Sequence, residues 1–481
     1  MTARTGLDLS PGPGGAAESR PAGWGVVGGG ILGMTLAWRL ARAGHAVQLF
    51  EASPDLGGLT SAWRLGDVVW DRFYHVTLAS DTALRRLLGE LDLGRDLRFT
   101  RTRTGFFAGG RLHSVSNTLE FLRFPPLDFV SRLRLALTLL YASLLRDGRR
   151  LERVPVVEWL ERWSGRRAVE TVWLPLLRAK LGDAYRDTSA AFIWATARRL
   201  YGARGGGAAK REVFGYLPGG YARILARFAD ALAGAGVRVN TGCAVREVVA
   251  GPGGGVRVRL ADGREGAFGR VVVTAAAPLA ARLCPDLAAE ERARLTGVRY
   301  LGVVCPSVLL KRPLGGFYVT NIADAGIPFT AVVEMTALVD PAQFGGRTLV
   351  YLPRYLPSDD PALDRPDEAI AEEFLAGLRR IHPGLDSDDV VACRVARARQ
   401  VCAVPTLGYS ERLPPTITSV PGLILANSAH IVDGTLNVNG TVQLAERIAT
   451  GLLTGCAPLS RAGAPQRRDS PPARRARQPR A

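Results

Sequence analysis

Residues 24–51, WGVVGGGILGMTLAWRLARAGHAVQLFE, constrain the fold more than any other stretch of the chain. A short apolar strand, 24–27, runs into G-x-G-x-x-G; the next residues have helical apolar spacing and stop at Gly44; a second apolar strand, 45–50, closes on Glu51. Each part has a physical task. Gly28 permits the tight turn, Gly30 lets backbone approach a pyrophosphate at the helix N-terminus beside Ile31 and Leu32, and Gly33 lets helix and strand pack closely. Glu51, at a strand end, suits a ribose 2′-hydroxyl. The pattern predicts a βαβ unit that binds a dinucleotide.

Composition bounds the rest. At 481 residues the chain exceeds one ordinary hydrophobic core, so two intertwined domains are expected. No apolar run is long enough to cross a bilayer. The six cysteines show no C-x-x-C pair and no histidine partners, which predicts reduced thiols, a cytoplasmic setting and no metal site. The net charge of +18 raises nucleic acid as a partner, yet the segment after Ser460 alone carries seven arginines against Asp469. Residues 1–22 and 458–481 read as a disordered arm and a disordered basic tail, and no nucleic-acid-binding motif accompanies the charge.

The stretch that follows the acid, EASPDLGGLTSAW, resembles the E-A-R-x-x-x-G-G-R-x signature of the superfamily of FAD-dependent amine oxidases, protoporphyrinogen oxidases and phytoene desaturases. The resemblance implies that Ala52, Gly57, Gly58, Leu59 and Thr60 border the cofactor. It departs at Ser53 and Leu59, where many members carry cofactor-reaching arginines. It recurs in FGYLPGGYARILARFADALAGAGVRVNTGCAVREV from Phe214, whose backbone near Val245 would meet the adenine. RVVVTAAAP, with Ala275, is similar to the strand and turn bordering the adenosine. PGLILANSAHIVDGTLNVNGTVQLAERIATGLL is similar to the closing strand, loop and helix. There Asn427-Ser428 stands where most members have Gly-Asp, and the last helix is expected to begin near Gly440-Thr441 with its positive end toward the flavin.

The implied fold is α/β: a Rossmann-like FAD-binding domain of the GR2 flavoprotein type, built from 23–109, 214–285 and 396–457. An α+β substrate domain is inserted as 110–213 and 286–395. FAGGRLHSVSN reads as two strands around a Gly-Gly turn. The apolar helix 128–145, flanked by arginines, reads first as a core helix lining the substrate pocket and second as a helix in a membrane interface. WLPLLRAKLGD resembles a stretch of bacterial FAD-dependent oxidoreductases associated with surface polysaccharides and lipid-linked sugars.

Candidates for chemistry follow from their positions. His75, in VVWDRFYHVTLASD with Asp71 and Tyr74, lies where the superfamily passes close to the flavin and would orient substrate or exchange a proton near neutral pH. Lys180 would meet a substrate phosphate or the flavin, and Tyr409 would face the flavin as an aromatic wall; His430 ranks below His75. No nucleophile elbow or metal-spaced His cluster is present. The leading expectation is an oxidoreductase with noncovalent FAD that takes hydride from a C–H bond of a hydrophobic, isoprenoid-type substrate, with an amine or porphyrinogen as other substrates. Oxygen, a quinone or another acceptor would take the electrons, and the enzyme would sit in the cytoplasm or peripherally on the inner face of the membrane. A sugar-nucleotide mutase-like isomerase and a non-catalytic FAD-binding scaffold are the alternatives.

Overall fold

The computed structural model describes residues 23–117, 120, 123–202, 212–432 and 436–455; the expected terminal arm and basic tail lie outside them. Trp24–Val27 is buried along its whole length, as a strand covered on both faces must be. It lies at the centre of a five-stranded parallel sheet in the order Arg238–Asn240, Val47–Phe50, Trp24–Val27, Arg270–Val273, Leu423–Leu425. The helix Ile31–Arg42 packs on this sheet beside the closing helix Val438–Thr454, through a core that includes Met34, Leu36, Leu40, Val442 and Ile448. A small antiparallel sheet, Val245–Ala250, Val256–Leu260 and Glu265–Phe268, flanks the other side.

A second sheet carries the other half of the molecule. Its long strand Tyr300–Leu310 is fully buried and pairs along one side with Val390–Ala403 and along the other with Thr348–Tyr351 and Arg354–Pro357. Further strands at 331–334, 319–322, 104–108 and 111–114 complete it, the last two forming the expected hairpin around Gly109-Gly110. This sheet moves two expected boundaries. Thr104–Ala108 pairs in parallel with Val319–Ile322, so the inserted unit starts before residue 110, and Val390–Ala403 carries it past residue 395. Long-range strand pairing decides both, and local pattern does not report it.

Helices Phe129–Leu144, Val156–Ser164, Leu174–Leu181 and Ala191–Gly202 form a lobe beside this sheet. A π turn at Val169–Trp173 comes just ahead of Pro175, which has no N–H to return to the helical ladder. The preferred reading of helix 128–145 as a core helix is corrected here. Only Ser131, Leu135, Thr138 and Ala142 are buried, while most of its leucines face solvent. Apolar run length cannot say which side of a helix meets the protein.

Candidate functional site

Four parallel strands end at one crevice: Val27 at Gly28, Phe50 at Glu51, Val273 at Thr274, and Leu425 at Ala426-Asn427. The centre strand is where connections diverge to either side of the sheet, the place where open α/β sheets bind ligands. The glycines there differ in what a side chain would meet. Gly28 has φ +110°, and a Cβ would lie 2.3 Å from Thr274 Oγ1; at Gly33 it would lie 1.9 Å from the Gly28 carbonyl oxygen. Those two positions close the turn and seat the helix. At Gly30 a Cβ meets nothing nearer than Gly57 O at 3.9 Å, so it would project into the crevice. Gly30 and Gly57 form a bridge, Gly57 N donates to Gly29 O at 2.9 Å, and Gly58 lies against the Gly30 Cα. The result is a backbone-only cradle, which fits a pyrophosphate at a helix N-terminus.

The side chains around the cradle are arranged to serve it. Glu51 accepts from Gly29 N at 2.6 Å and Ser53 N at 2.8 Å, which fixes its carboxylate at the crevice mouth with lone pairs left for a ribose hydroxyl. Ile31, Leu32 and Thr60 are buried beneath the cradle, Leu59 is half-buried and Ala52 exposed. Ser53 and Leu59 offer no guanidinium. Val245 begins its strand two residues after Cys243, whose N–H donates to Glu51 O at 2.8 Å; Ala275 follows Thr274 at the crevice edge. Asn427 is fully buried, accepts from Ala429 N at 3.1 Å, and has no hydrogen-bond partner for Nδ2 among the described residues. A buried orphan donor at the sheet's carboxyl end fits a cofactor oxygen. The closing helix starts at Val438, two residues before the expected start, because Asn437 Oδ1 caps Gly440 N at 2.9 Å; Thr441 lies inside the first turn.

Asp71 and His75 form a second cluster beneath Gly220. Asp71 Oδ1 accepts from Tyr221 N at 2.8 Å, Asp71 Oδ2 lies 3.8 Å from His75 Nδ1, and the His75 and Tyr221 rings are 4.8 Å apart. A cavity of about 20 Å³, room for about one water molecule, is lined by residues that include Trp70, His75 and Tyr221, whose Nε1, Nδ1 and Oη are buried without hydrogen-bond partners among the described residues. Burial pushes the Asp71 carboxyl up to about 7 and the His75 imidazole down to about 4. Burial thus disfavours the charged imidazole of His75 and the charged carboxylate of Asp71 alike, and of the two it brings Asp71 nearer to neutral pH.

A third cluster joins the two halves of the molecule. Tyr74 Oη and Tyr355 Oη are 2.8 Å apart, and the Lys180 ammonium sits 3.2 Å from the centre of the Tyr355 ring. Burial holds both phenols well above their ordinary range, so they stay protonated hydroxyls. Lys180 thus meets an aromatic wall in a cation–π arrangement. Tyr355 and Trp70 carried no signal in the sequence, because their partners are distant in the chain. Tyr409 is buried; its hydroxyl donates to Ala429 O at 2.8 Å, which braces the Asn427 loop, and the residue lines a cleft of about 630 Å³ with Val298 and Leu407. His430 is buried, with Nε2 3.1 Å from Pro414 O, and is structural. No cluster of three metal-ligating side chains occurs among the described residues.

Comparisons with known proteins accord with this geometry. The family model described as flavin containing amine oxidoreductase matches residues 33–453. A zeta-carotene desaturase from Synechocystis sp. is 23% identical over 91% of this chain and 98% of its own. Among solved structures, a protein from Exiguobacterium sp. 255-15, provisionally assigned as a protoporphyrinogen oxidase, superposes with a TM-score of 0.71 at 19% identity, covering 92% of this chain and 100% of that one. A putrescine oxidase bound to putrescine gives 0.69 at 18% identity, covering 90% and 99%.

Proposed function

The chain belongs to the flavin containing amine oxidoreductase family and is a flavin-dependent oxidoreductase; from that premise we propose that it binds FAD noncovalently and oxidises a C–H bond of a hydrophobic, isoprenoid-type substrate. The observation that carries the cofactor assignment is the backbone-only cradle at Gly30, with Glu51 at the ribose end and the orphan amide of Asn427 at the other. When bound, the flavin supplies a two-electron acceptor for hydride. The chain's own residues hold and shield the reactants. Tyr74 and Tyr355 present a hydrogen-bonded aromatic wall from the sheet side, and Lys180 fixes that wall from the helical lobe. Electrons leave to oxygen, a quinone or another acceptor.

The name of the Synechocystis relative and the apolar helical lobe support a long hydrophobic substrate over a small cationic amine. Anaerobic mixing of the yellow protein with linear polyenes, polyprenyl lipids, amines or sugar nucleotides tests this. Bleaching by a polyene or polyprenyl lipid supports the proposal, and bleaching by amines alone contradicts the substrate class. Turnover of a sugar nucleotide only after dithionite reduction replaces the proposal with an isomerase. Heat precipitation that leaves FAD in the supernatant supports noncovalent binding; flavin that stays with the pellet contradicts it.

A further inference from the structure

The Phe129–Leu144 helix is turned inside out. Its buried side is made of Ser131, Leu135, Thr138 and Ala142, with Thr138 Oγ1 accepting from Ser164 Oγ at 3.0 Å and Ser164 Oγ accepting in turn from Trp173 Nε1 at 3.1 Å. Its solvent side carries Phe129, Val130, Leu133, Leu137, Leu140 and Leu144, joined by Tyr141. At 3.6 residues per turn these seven fall within an arc of roughly 120°. Of the fourteen exposed large hydrophobic side chains among the described residues, seven lie on this one helix, and Trp163 beside Tyr141 is an eighth, their rings 4.3 Å apart. Scattered surface hydrophobics need no explanation, but a continuous stripe does.

Charge identifies the partner. Residues 123–167 hold ten arginines against five acidic residues. Arg134 donates to the carbonyls of Arg162 and Trp163, which holds its guanidinium at the edge of the stripe, while Arg146, Arg150 and Arg162 form no ion pair among the described residues. A second copy would bring a like-charged rim against this one. An anionic bilayer offers phosphates to the arginines, acyl chains to the leucines and a headgroup layer to Tyr141 and Trp163. No helix among the described residues is long and apolar enough to cross a membrane, and this one has its other side in the protein. We propose that the Phe129–Leu144 helix lies in the plane of an anionic phospholipid surface and docks the protein there, leucine side down.

The surface carries this inference independently of the redox reading, and the assay needs no substrate. The full chain is floated with vesicles of phosphatidylcholine alone and with roughly one quarter phosphatidylglycerol added. The expected result is flotation with the anionic vesicles, weakened by high salt, and a loss of roughly tenfold or more in the Leu133→Glu/Leu137→Glu variant. Ile417→Glu, which changes an exposed hydrophobic elsewhere, should float like the parent. Unchanged flavin absorbance and melting temperature establish that the variants are folded. Failure of the parent to float, equal flotation with both vesicle types, or flotation unaffected by the double variant overturns the proposal. So does a parent dimer that does not float and that the double variant converts to a monomer, because a second copy would then cover the stripe.

Discussion

Gly33 and Asp71 show how much one residue decides here. A Cβ at Gly33 would lie 1.9 Å from a backbone oxygen that cannot move without opening the turn, so Gly33→Ala should destabilise the fold by about 3 kcal/mol or more. A melting temperature within a degree or two of the parent would contradict that. Asp71, with a folded value near 7 against an ordinary 3.8, contributes stability that is complete below the ordinary value and lost as pH rises through 7. His75, depressed from 6.5 to about 4, acts in the opposite sense: its contribution is present above 6.5 and lost as pH falls through 4. The two slopes oppose each other between about 4 and 6.5. Asp71→Asn removes the first, so the variant should gain on the parent by up to roughly 3 kcal/mol between pH 4 and pH 7.5. Urea titrations at both pH values check this, and a difference that does not change with pH would contradict it. The crevice glycines and Glu51 were readable in sequence because strand, turn and helix fix their backbone geometry locally. The roles of Asp71 and His75 were not, because burial beneath Gly220 sets their protonation.

Among the elements, the βαβ start was legible since strand, turn, helix and acid are contiguous. The start of the closing helix was misplaced by two residues because Asn437, not the Gly440-Thr441 pair, ends the loop. That cap can be tested: Asn437→Ala should cost about 1 kcal/mol, read as a lower melting temperature, and an unchanged melt would contradict the capping role. The helix Phe129–Leu144 was misread for a different reason. Its pattern of leucines is amphipathic, but nothing in the pattern says that the side bearing Ser131 and Thr138 faces inward.

At the scale of the molecule, each of the two large sheets draws its strands from distant parts of the chain, and the candidate residues come together through that folding. Lys180 reaches the Tyr74–Tyr355 pair only because the helical lobe folds over a sheet edge. Lys180→Met should retain flavin yet slow anaerobic bleaching by at least roughly tenfold, and an unchanged rate would show that the ammonium has no part in substrate positioning. Sequence could nominate Lys180, but not its partner, since that contact depends on tertiary packing. Whether the crevice at Gly30 holds the cofactor pyrophosphate is read from the visible absorption spectrum of the purified Gly30→Val variant beside the parent. Gly30 has an extended backbone that any residue can adopt and open space for a side chain. A folded, colourless variant next to a yellow parent is expected; a variant that purifies fully loaded with flavin would overturn the placement of the pyrophosphate at Gly30.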